Sequence, residues 1–464
     1  MILTTKGLGR RRHGVAGQPV KPLRRKPPPS KSAMVTMRDV IPRRRQRPRR
    51  RTVAPRTAAS WGPRELHAVL PGGSWKGHRC FVVGGGPSLR EFDWSRLKGE
   101  LVIGVNRAFE ECDPAIIFSM DTRLWSWVEK GKFGEVLQKR FVEYPGLKVW
   151  LDTAHAPFPE DILTVKCIGY HQLSRDLAGG LGSGGNSGYG ALNLALCLGA
   201  DPIYLLGFDM KGEKGKQAWF HSGYPIVQKE NVYRKFRSTF EQYADEINKW
   251  AKVINLSSNS DLRCFPFGKI EDVEPADHPV VISYYTKDTG YAVEVKRLRR
   301  SLYVHGLEHD VVGVDSLGSW QANTHYKAAF IRNMLKKYPS RALLFLDADA
   351  AVCKYPELFV GMTDIDIAVH FRHGKELLSG TLYFRNTEAT RTLVDNWIAL
   401  NDANPSVWEQ KNLATVLEKM DGIRVHRLPP EYCCIFDTMI KESGDPVIEH
   451  YQASRRLKKG AGKA

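Results

Sequence analysis

Two aspartates separated by one residue, Asp347 and Asp349, sit in the segment RALLFLDADAAV at 341–352. Four apolar residues, Leu343 to Leu346, run directly into them. An unbroken apolar run of this length reads as a buried parallel strand, and such a strand delivers its carboxyl end to the ligand crevice of an open α/β sheet. Residues two apart on extended backbone point the same way. Two carboxylates on one side repel each other unless a cation lies between them. A hard divalent ion, Mg2+ or Mn2+, suits carboxylate oxygens and a nucleotide diphosphate, whose leaving charge it would neutralise. D-x-D alone is a short pattern, and a solvated strand-end turn would also produce it.

A second cluster lies at 80–89, where Cys80-Phe81-Val82-Val83 leads into Gly84-Gly85-Gly86-Pro87-Ser88-Leu89. Glycines let backbone amides approach a phosphate, and Ser88 would add a hydroxyl at the start of a helix. The loop is neither G-x-G-x-x-G nor a Walker loop, because no Gly-Lys-Ser/Thr follows; a mere tight turn would use the same residues.

The elements that must position these groups form two bodies behind a basic tail. The chain has 464 residues, 42% of them hydrophobic, which excludes wholesale disorder and leaves room for about three domains. Residues 1–57 hold 18 Lys/Arg against one acid, Asp39, so +17 of the net +19 resides there and the remainder is close to neutral. The Arg/Pro-rich segment 1–59 cannot bury enough apolar surface to order itself. It reads either as an arm for a polyanion, nucleic acid or an anionic membrane surface, or as a solvated tail with a true start at Met34 or Met37. No stretch of 18 apolar residues exists, the N-terminus lacks the apolar core of a secretory signal, and the eight cysteines form no C-x-x-C pair. These features point to a cytoplasmic protein with reduced thiols.

The first body spans 60–262. Apolar runs at 80–83, 100–106, 115–121, 147–152 and 201–210 read as strands, and SGYGALNLALCLGA at 187–200 as a helix with Ser187 a possible cap. Residues 263–278, with two prolines and several charges, read as a linker. The second body, 279–456, alternates again: strands at 279–286, 310–317, 342–350, 366–371, 380–386 and 423–429, with helices at 290–306 and 325–339. A short basic tail, 457–464, closes the chain. The fold class is α/β, with two Rossmann-like modules.

Beyond Asp347 and Asp349 the second body carries SGTLYFRNT (379–387), VWEQKNLATVL (407–417), RLPPEYC (427–433) and IEHYQASRR (448–456). In that order they resemble the nucleotide-sugar transferases of the GT-A fold. The resemblance implies that Asp347, Asp349 and a late histidine, His450, hold a divalent metal. It implies that Ser379, Gly380 and Asn386 lie near the acceptor or sugar, and that Trp408, Glu409 and Gln410 help form the sugar site. Arg455 or Arg456 would meet the diphosphate, and Tyr284, Tyr285 and Thr286 would grip the nucleobase. Neutral imidazole is a borderline ligand for Mn2+, and guanidinium matches phosphate oxygens.

The stretch VVGGGPSL…VIGVNRAF…SGYGALNLALCLGADPIYLLGFDM resembles the bacterial sialyltransferase-like fold. That group includes lipooligosaccharide sialyltransferases, motility-associated flagellin-modification proteins and an archaeal pterin diphosphokinase. The resemblance implies a nucleotide phosphate on Gly84, Gly86, Pro87 and Ser88, a nucleotide contact from Asn106, and a small-residue turn at Ser187 and Gly188. His221, in WFHSGY, would be the general base; a histidine with near-neutral pKa can take an acceptor hydroxyl proton. The paired catalytic tyrosines of those enzymes are not evident, though Tyr170 and Tyr189 are nearby. Asn259 and Ser260 are expected at the base or ribose. The seven glycines of 179–190 read as a mobile loop over substrate or as a disordered insertion.

Together these readings lead one to expect a two-module glycosyltransferase using a nucleotide sugar, Mn2+ or Mg2+ and a glycan acceptor. Alternatively the first body is a diphosphokinase-like phosphotransferase or a non-catalytic recognition module, with nucleic acid a possible acceptor.

Overall fold

Strand β1, Cys80–Val83, is apolar and buried at all four positions, as a strand covered on both faces must be. It lies inside a sheet with β2 (Leu101–Val105), β3 (Ile116–Ser119), β4 (Leu147–Asp152), β5 (Ile162–Gly169), β6 (Leu181–Gly182), β7 (Ile203–Leu206) and β8 (Val253–Asn255). The spatial order is β6-β5-β4-β3-β2-β1-β7-β8, with every pair parallel. Period-two alternation splits the core. Cys80 and Val82 pack with Leu192, Ala195, Phe240 and Ile247, whereas Phe81 and Val83 pack with Leu89, Leu97 and Leu206. This computed structural model describes residues 65–153 and 158–455. The expectations for 1–59, for Arg456 and for 457–464 lie outside the described residues.

Helices α1 (Thr122–Glu129), α2 (Glu135–Val142), α3 (Ser187–Leu198) and α4 (Val232–Trp250) cover this sheet. α3 has no polar face in its sequence and is buried almost all round. Its cap is Asn186, whose side chain accepts the Tyr189 amide; Ser187 is the first helical residue, and its hydroxyl accepts the Met120 amide. The glycine-rich stretch is packed into the fold. It supplies β6 and the turn into α3, and Leu181, Gly182 and Ser183 are buried. Nor is the linker loose: Phe265 belongs to the first core, and Arg96 donates to the carbonyls of Ile270 and Val273.

The second sheet contains β9 (Val280–Thr286), β10 (His309–Val314), β11 (Leu343–Leu346), β13 (Ile367–Arg372), β14 (Glu376–Phe384) and β15 (Val425–Arg427). β12 (Ala350–Val352), β16 (Cys434–Ile435) and β17 (Ile448–His450) make a smaller one. The orders are β10-β9-β11-β14-β13-β15 and β12-β17-β16, with β14 antiparallel to both neighbours. Helices α5 (Tyr291–Val304), α6 (Trp320–Lys337), α7 (Glu388–Ala403), α8 (Glu409–Lys419) and α9 (Ile440–Ser443) complete the module. Val280 and Ile282 face Phe330, Ile331 and Trp397, while Val281 faces Leu298 and Leu302 of α5. Among the described residues no helix is long and apolar enough to cross a membrane.

The two modules meet at the amino ends of their strands. His278, just before β9, reaches the Gly99 carbonyl (2.6 Å), just before β2. Tyr303, at the end of α5, packs edge-on against Tyr144, before β4. His78 pairs with Glu357 at 2.7 Å and packs on Tyr355. The carboxyl ends, where α/β sheets bind ligands, therefore open away from the joint.

Burial at this joint pushes the imidazole pKa values of His278 and His309 down and that of His305 to about 4. Each histidine thus binds its proton less tightly folded than unfolded. Their contribution holds above the usual value of about 6.5 and is lost as pH falls from there toward 4. Thermal unfolding is expected to move down by several degrees between pH 7.5 and pH 5, less steeply in His305→Leu. An unchanged midpoint at pH 5 would contradict this.

Candidate active site

β11 ends where the apolar run ends, and the next residues turn the chain so that Asp347 and Asp349 stand at the carboxyl edge of the second sheet. The Asp347 amide donates to the Gly380 carbonyl of β14, and the Ala350 amide to the Asp347 carbonyl. β17 pairs antiparallel to β12 with Ala350 opposite His450, which brings that histidine over the aspartates. One ligand atom from each of Asp347, Asp349 and His450 lies within 4.8 Å of the others. A Cβ on residue 380 would sit 3.0 Å from His450 Nδ1 and 3.3 Å from an Asp347 carboxylate oxygen, so glycine leaves both groups a shared gap. His450 Nε2 is engaged with the Thr381 hydroxyl at 2.8 Å. Its Nδ1 is buried and has no hydrogen-bond partner. Asp349 is fixed by the Ala453 amide at 2.6 Å.

A cation inside the protein balances these acids. Lys327 of α6 is buried, and its Nζ lies 3.1 Å from Asp347 Oδ1 and 3.0 Å from Glu409 Oε1. It also donates to the Ser379 hydroxyl (3.0 Å), which itself donates to Glu409 (2.6 Å). Burial raises the pKa of Asp347, with Lys327 opposing, and also raises that of Asp349. For Glu409 desolvation is again the largest effect, but Lys327, the Ser379 hydroxyl and the Gln410 amide together outweigh it, and its pKa falls. Burial and then Lys327 push His450 down to about 3, so its imidazole is neutral and its unpartnered Nδ1 can carry a lone pair toward the gap. Two carboxylates and a neutral imidazole form a donor set suited to Mn2+ or Mg2+.

Of the other expected residues, some arrive here and some do not. Ser379, Gly380 and Glu409 do. Gln410 follows Glu409 on α8, but Glu409 is the one that meets Lys327 and Ser379. Asn386 is displaced: β14 runs antiparallel to β11, with Phe384 opposite Leu343, so Asn386 emerges at the opposite end of the sheet. There its side chain donates to the carbonyls of Leu335 and Tyr338 behind α6. Tyr284 is a core residue, packed on Phe330 and Phe345 with its hydroxyl on the Asn323 carbonyl. Thr286, buried at the end of β9, bonds to Thr289, and Tyr285 lies under the Arg299 guanidinium. Arg455, two residues past Ala453, is paired with Asp437 at 2.9 Å.

Sequence reasoning missed Lys327 and Tyr291. Lys327 lies in line with Phe330, Ile331 and Met334 on the buried face of α6, and a charge on an apolar stripe was the available signal. Tyr291 opens α5, and burial, then the charges of Asp349 and Asp347, push its hydroxyl up to about 12.

In the first module a cleft of about 560 Å3 opens beyond the carboxyl ends of β1, β2 and β7. Gly84, Gly86, Asn106, Asp209, Ser187 and Gly188 line it with Trp127 and Tyr224. The glycine loop differs from expectation. No α-helix follows it; Pro87–Leu89 is one 3-10 turn, so no helix dipole faces a phosphate. Several of its donors are already used: the Gly84 and Gly86 amides bond the Leu206 and Gly207 carbonyls, and the Ser88 hydroxyl bonds Asp209 (2.9 Å), as does its amide. A Cβ on Gly86 would fall 1.6 Å from an Asp209 carboxylate oxygen. The glycine therefore admits a buried carboxylate where a phosphate was expected. Gly86→Ala is expected to cost about 2–3 kcal/mol of stability. Gly85→Ala, whose Cβ would meet nothing closer than 3.3 Å, should cost far less. Equal unfolding midpoints for the two variants would contradict this.

His221 is also recessed. Its Nδ1 accepts the Gly223 amide, and Nε2 is buried without a partner, 3.6 Å from where a Gly85 Cβ would lie. Burial, then Arg107, lower its pKa to about 3, far from the near-neutral value expected of a general base. The side-chain oxygen of Asn106 is buried and unpartnered at the cleft. Ser260 is structural, its hydroxyl bonding the Phe208 carbonyl, and Asn259 is exposed. Tyr189 is buried with its hydroxyl on the Gln172 carbonyl, and Tyr170 lies under Lys235.

No protein-family profile matches the chain, and no curated protein does. Among solved structures, similarity is found to a glycosyltransferase involved in glycosylation of the major capsid of PBCV-1. The identity is 20%, covering 40% of this chain and 100% of that one, with a TM-score of 0.32. The MAf glycosyltransferase from Magnetospirillum magneticum AMB-1 matches at 14% identity, covering 44% of this chain and 35% of its own, with a TM-score of 0.31. The glycosyltransferase GlyE of Streptococcus pneumoniae TIGR4 matches at 15% identity, covering 37% and 55%, with a TM-score of 0.27.

Proposed function

We propose that the second module is a metal-dependent glycosyltransferase of GT-A type that uses a nucleotide-diphosphate sugar. The observation that carries this reading is the gap over Gly380, faced by Asp347 and by the otherwise unpartnered Nδ1 of His450. A divalent cation held there would supply positive charge to the leaving diphosphate. The chain does the positioning. Ala453 holds Asp349, Thr381 fixes the His450 ring, and Lys327 keeps Asp347 and Glu409 ionised at the sheet edge. Glu409, held by Lys327 and Ser379 through Oε1, would accept from a donor-sugar hydroxyl. Arg455, exposed and paired with Asp437, would meet the diphosphate only by giving up that partner.

Nucleotide release from UDP-, GDP- and CMP-linked sugars, followed with the full chain and Mn2+ or Mg2+, tests the reading. Release is expected from at least one donor and should stop in EDTA. Release that persists in EDTA, or none from any donor, would overturn it.

For the first module we propose nucleotide recognition in the cleft beside Asn106 and Gly188, whether for transfer, for a diphosphokinase-like reaction or for binding alone. The buried Nε2 of His221 and its lowered pKa favour binding. The basic segment 1–57 would add long-range attraction for a polyanion, screened by salt. A reducing, cytoplasmic setting suits the buried thiols of Cys80 and Cys112, whose pKa values burial raises.

A further inference from the structure

A line of aromatic rings leads outward from the carboxylates. Tyr291, at the start of α5, feels the charges of Asp349 and Asp347 and accepts a hydrogen bond from the Trp320 side chain. Trp320 is the first residue of α6. Its ring meets that of Trp408 edge to face, with centroids 6.2 Å apart and planes at 75°. Trp408 caps α8 immediately before Glu409 and is 49% exposed. Lys411 lies 5.8 Å from its ring centroid.

We propose that Trp408, braced by Trp320, is the platform for a pyranose ring of the acceptor glycan. This rests on the donor reading above. A sugar nucleotide extends both ways from its diphosphate, the base on one side and the sugar on the other. The Lys327–Ser379–Glu409 group marks the sugar side, because it offers the polar atoms that hydroxyls need. Trp408 adjoins Glu409 on the side open to solvent, so a group resting there lies beyond the donor sugar, where an acceptor must approach. A pyranose presents a patch of C–H bonds on one face and hydroxyls around its edge. The C–H face stacks on the electron-rich face of an indole, and the hydroxyls stay in water or reach Lys411. A half-exposed tryptophan held edge-on by a second one is set in orientation before the sugar arrives, which reduces the entropy lost on binding.

The experiment uses the full chain with whichever nucleotide sugar it hydrolyses, and p-nitrophenyl α- and β-pyranosides of glucose, galactose and mannose as acceptor probes. Wild type, Trp408→Ala and Trp408→Phe are compared, with thermal unfolding confirming that each is folded. At least one glycoside is expected to accelerate nucleotide release. In Trp408→Ala its half-saturating concentration should rise about tenfold more than that of the donor, with Trp408→Phe in between. Equal rises for donor and glycoside would overturn the platform, as would donor hydrolysis that no glycoside accelerates. A wild type that hydrolyses no donor, indistinguishable from Asp347→Asn, would overturn the donor reading itself.

Discussion

Replacing Lys327 by methionine is expected to destabilise the second module by about 3–5 kcal/mol, the usual cost of removing one partner from a buried charge group. Methionine fills a similar volume, so the loss is electrostatic. Glu409 is 6% exposed and would keep its charge with only the Ser379 hydroxyl and the Gln410 amide as partners, neither of them a cation. Asp347 would lose its counter-ion at 3.1 Å. Both acids would then bind protons more tightly in the fold than in the unfolded chain. The deficit should accordingly shrink as pH falls from 7.5 toward 5, because neutral carboxyls need no counter-ion. Adding Glu409→Gln should recover part of the loss, since the two residues are in direct contact. Urea unfolding of the three proteins measures all of this. A Lys327→Met variant within 1 kcal/mol of wild type would show that the buried cluster carries little strain.

Asp347→Asn is expected to reduce cation-dependent nucleotide release by about a thousandfold or more while leaving the fold intact. The fold survives because Lys327 keeps Glu409 and the Ser379 hydroxyl as partners. Activity falls because an amide oxygen offers a cation no negative charge, and because the amide group would share the gap with His450 Nδ1. Far-ultraviolet circular dichroism and steady-state release separate the two effects. Release at wild-type rates from a folded variant would remove Asp347 from the metal-binding group.

What could be read from the residues, and what could not, follows from the range of each signal. The apolar run into Asp347 and Asp349 was legible because strand, turn and acids are consecutive. The arrival of His450 came through resemblance; β12, β16 and β17 have two or three residues each, too few for periodicity to reveal. Lys327 reads as an ordinary surface charge unless its place on the apolar stripe of α6 is noticed. Asn386 was misplaced for a geometric reason. Six residues of extended chain beyond Gly380 span about 20 Å, and β14 runs away from the site. The glycine loop was read as a phosphate cradle because the carboxylate that fills it, Asp209, lies more than a hundred residues away. His221 was assigned a role that depends on exposure, and exposure is not written in a local motif.

The measurement that tests the central claim most directly is calorimetric titration of UDP and GDP into the full chain, with and without Mn2+, for wild type and His450→Ala. If Asp347, Asp349 and His450 hold a cation that binds a nucleoside diphosphate, Mn2+ should strengthen binding of one of the two at least about tenfold. Most of that gain should vanish in His450→Ala, whose fold no buried charge would disturb, because the native imidazole is neutral. Binding of both nucleotides that is indifferent to Mn2+, or a Mn2+ gain that His450→Ala retains in full, would contradict the assignment.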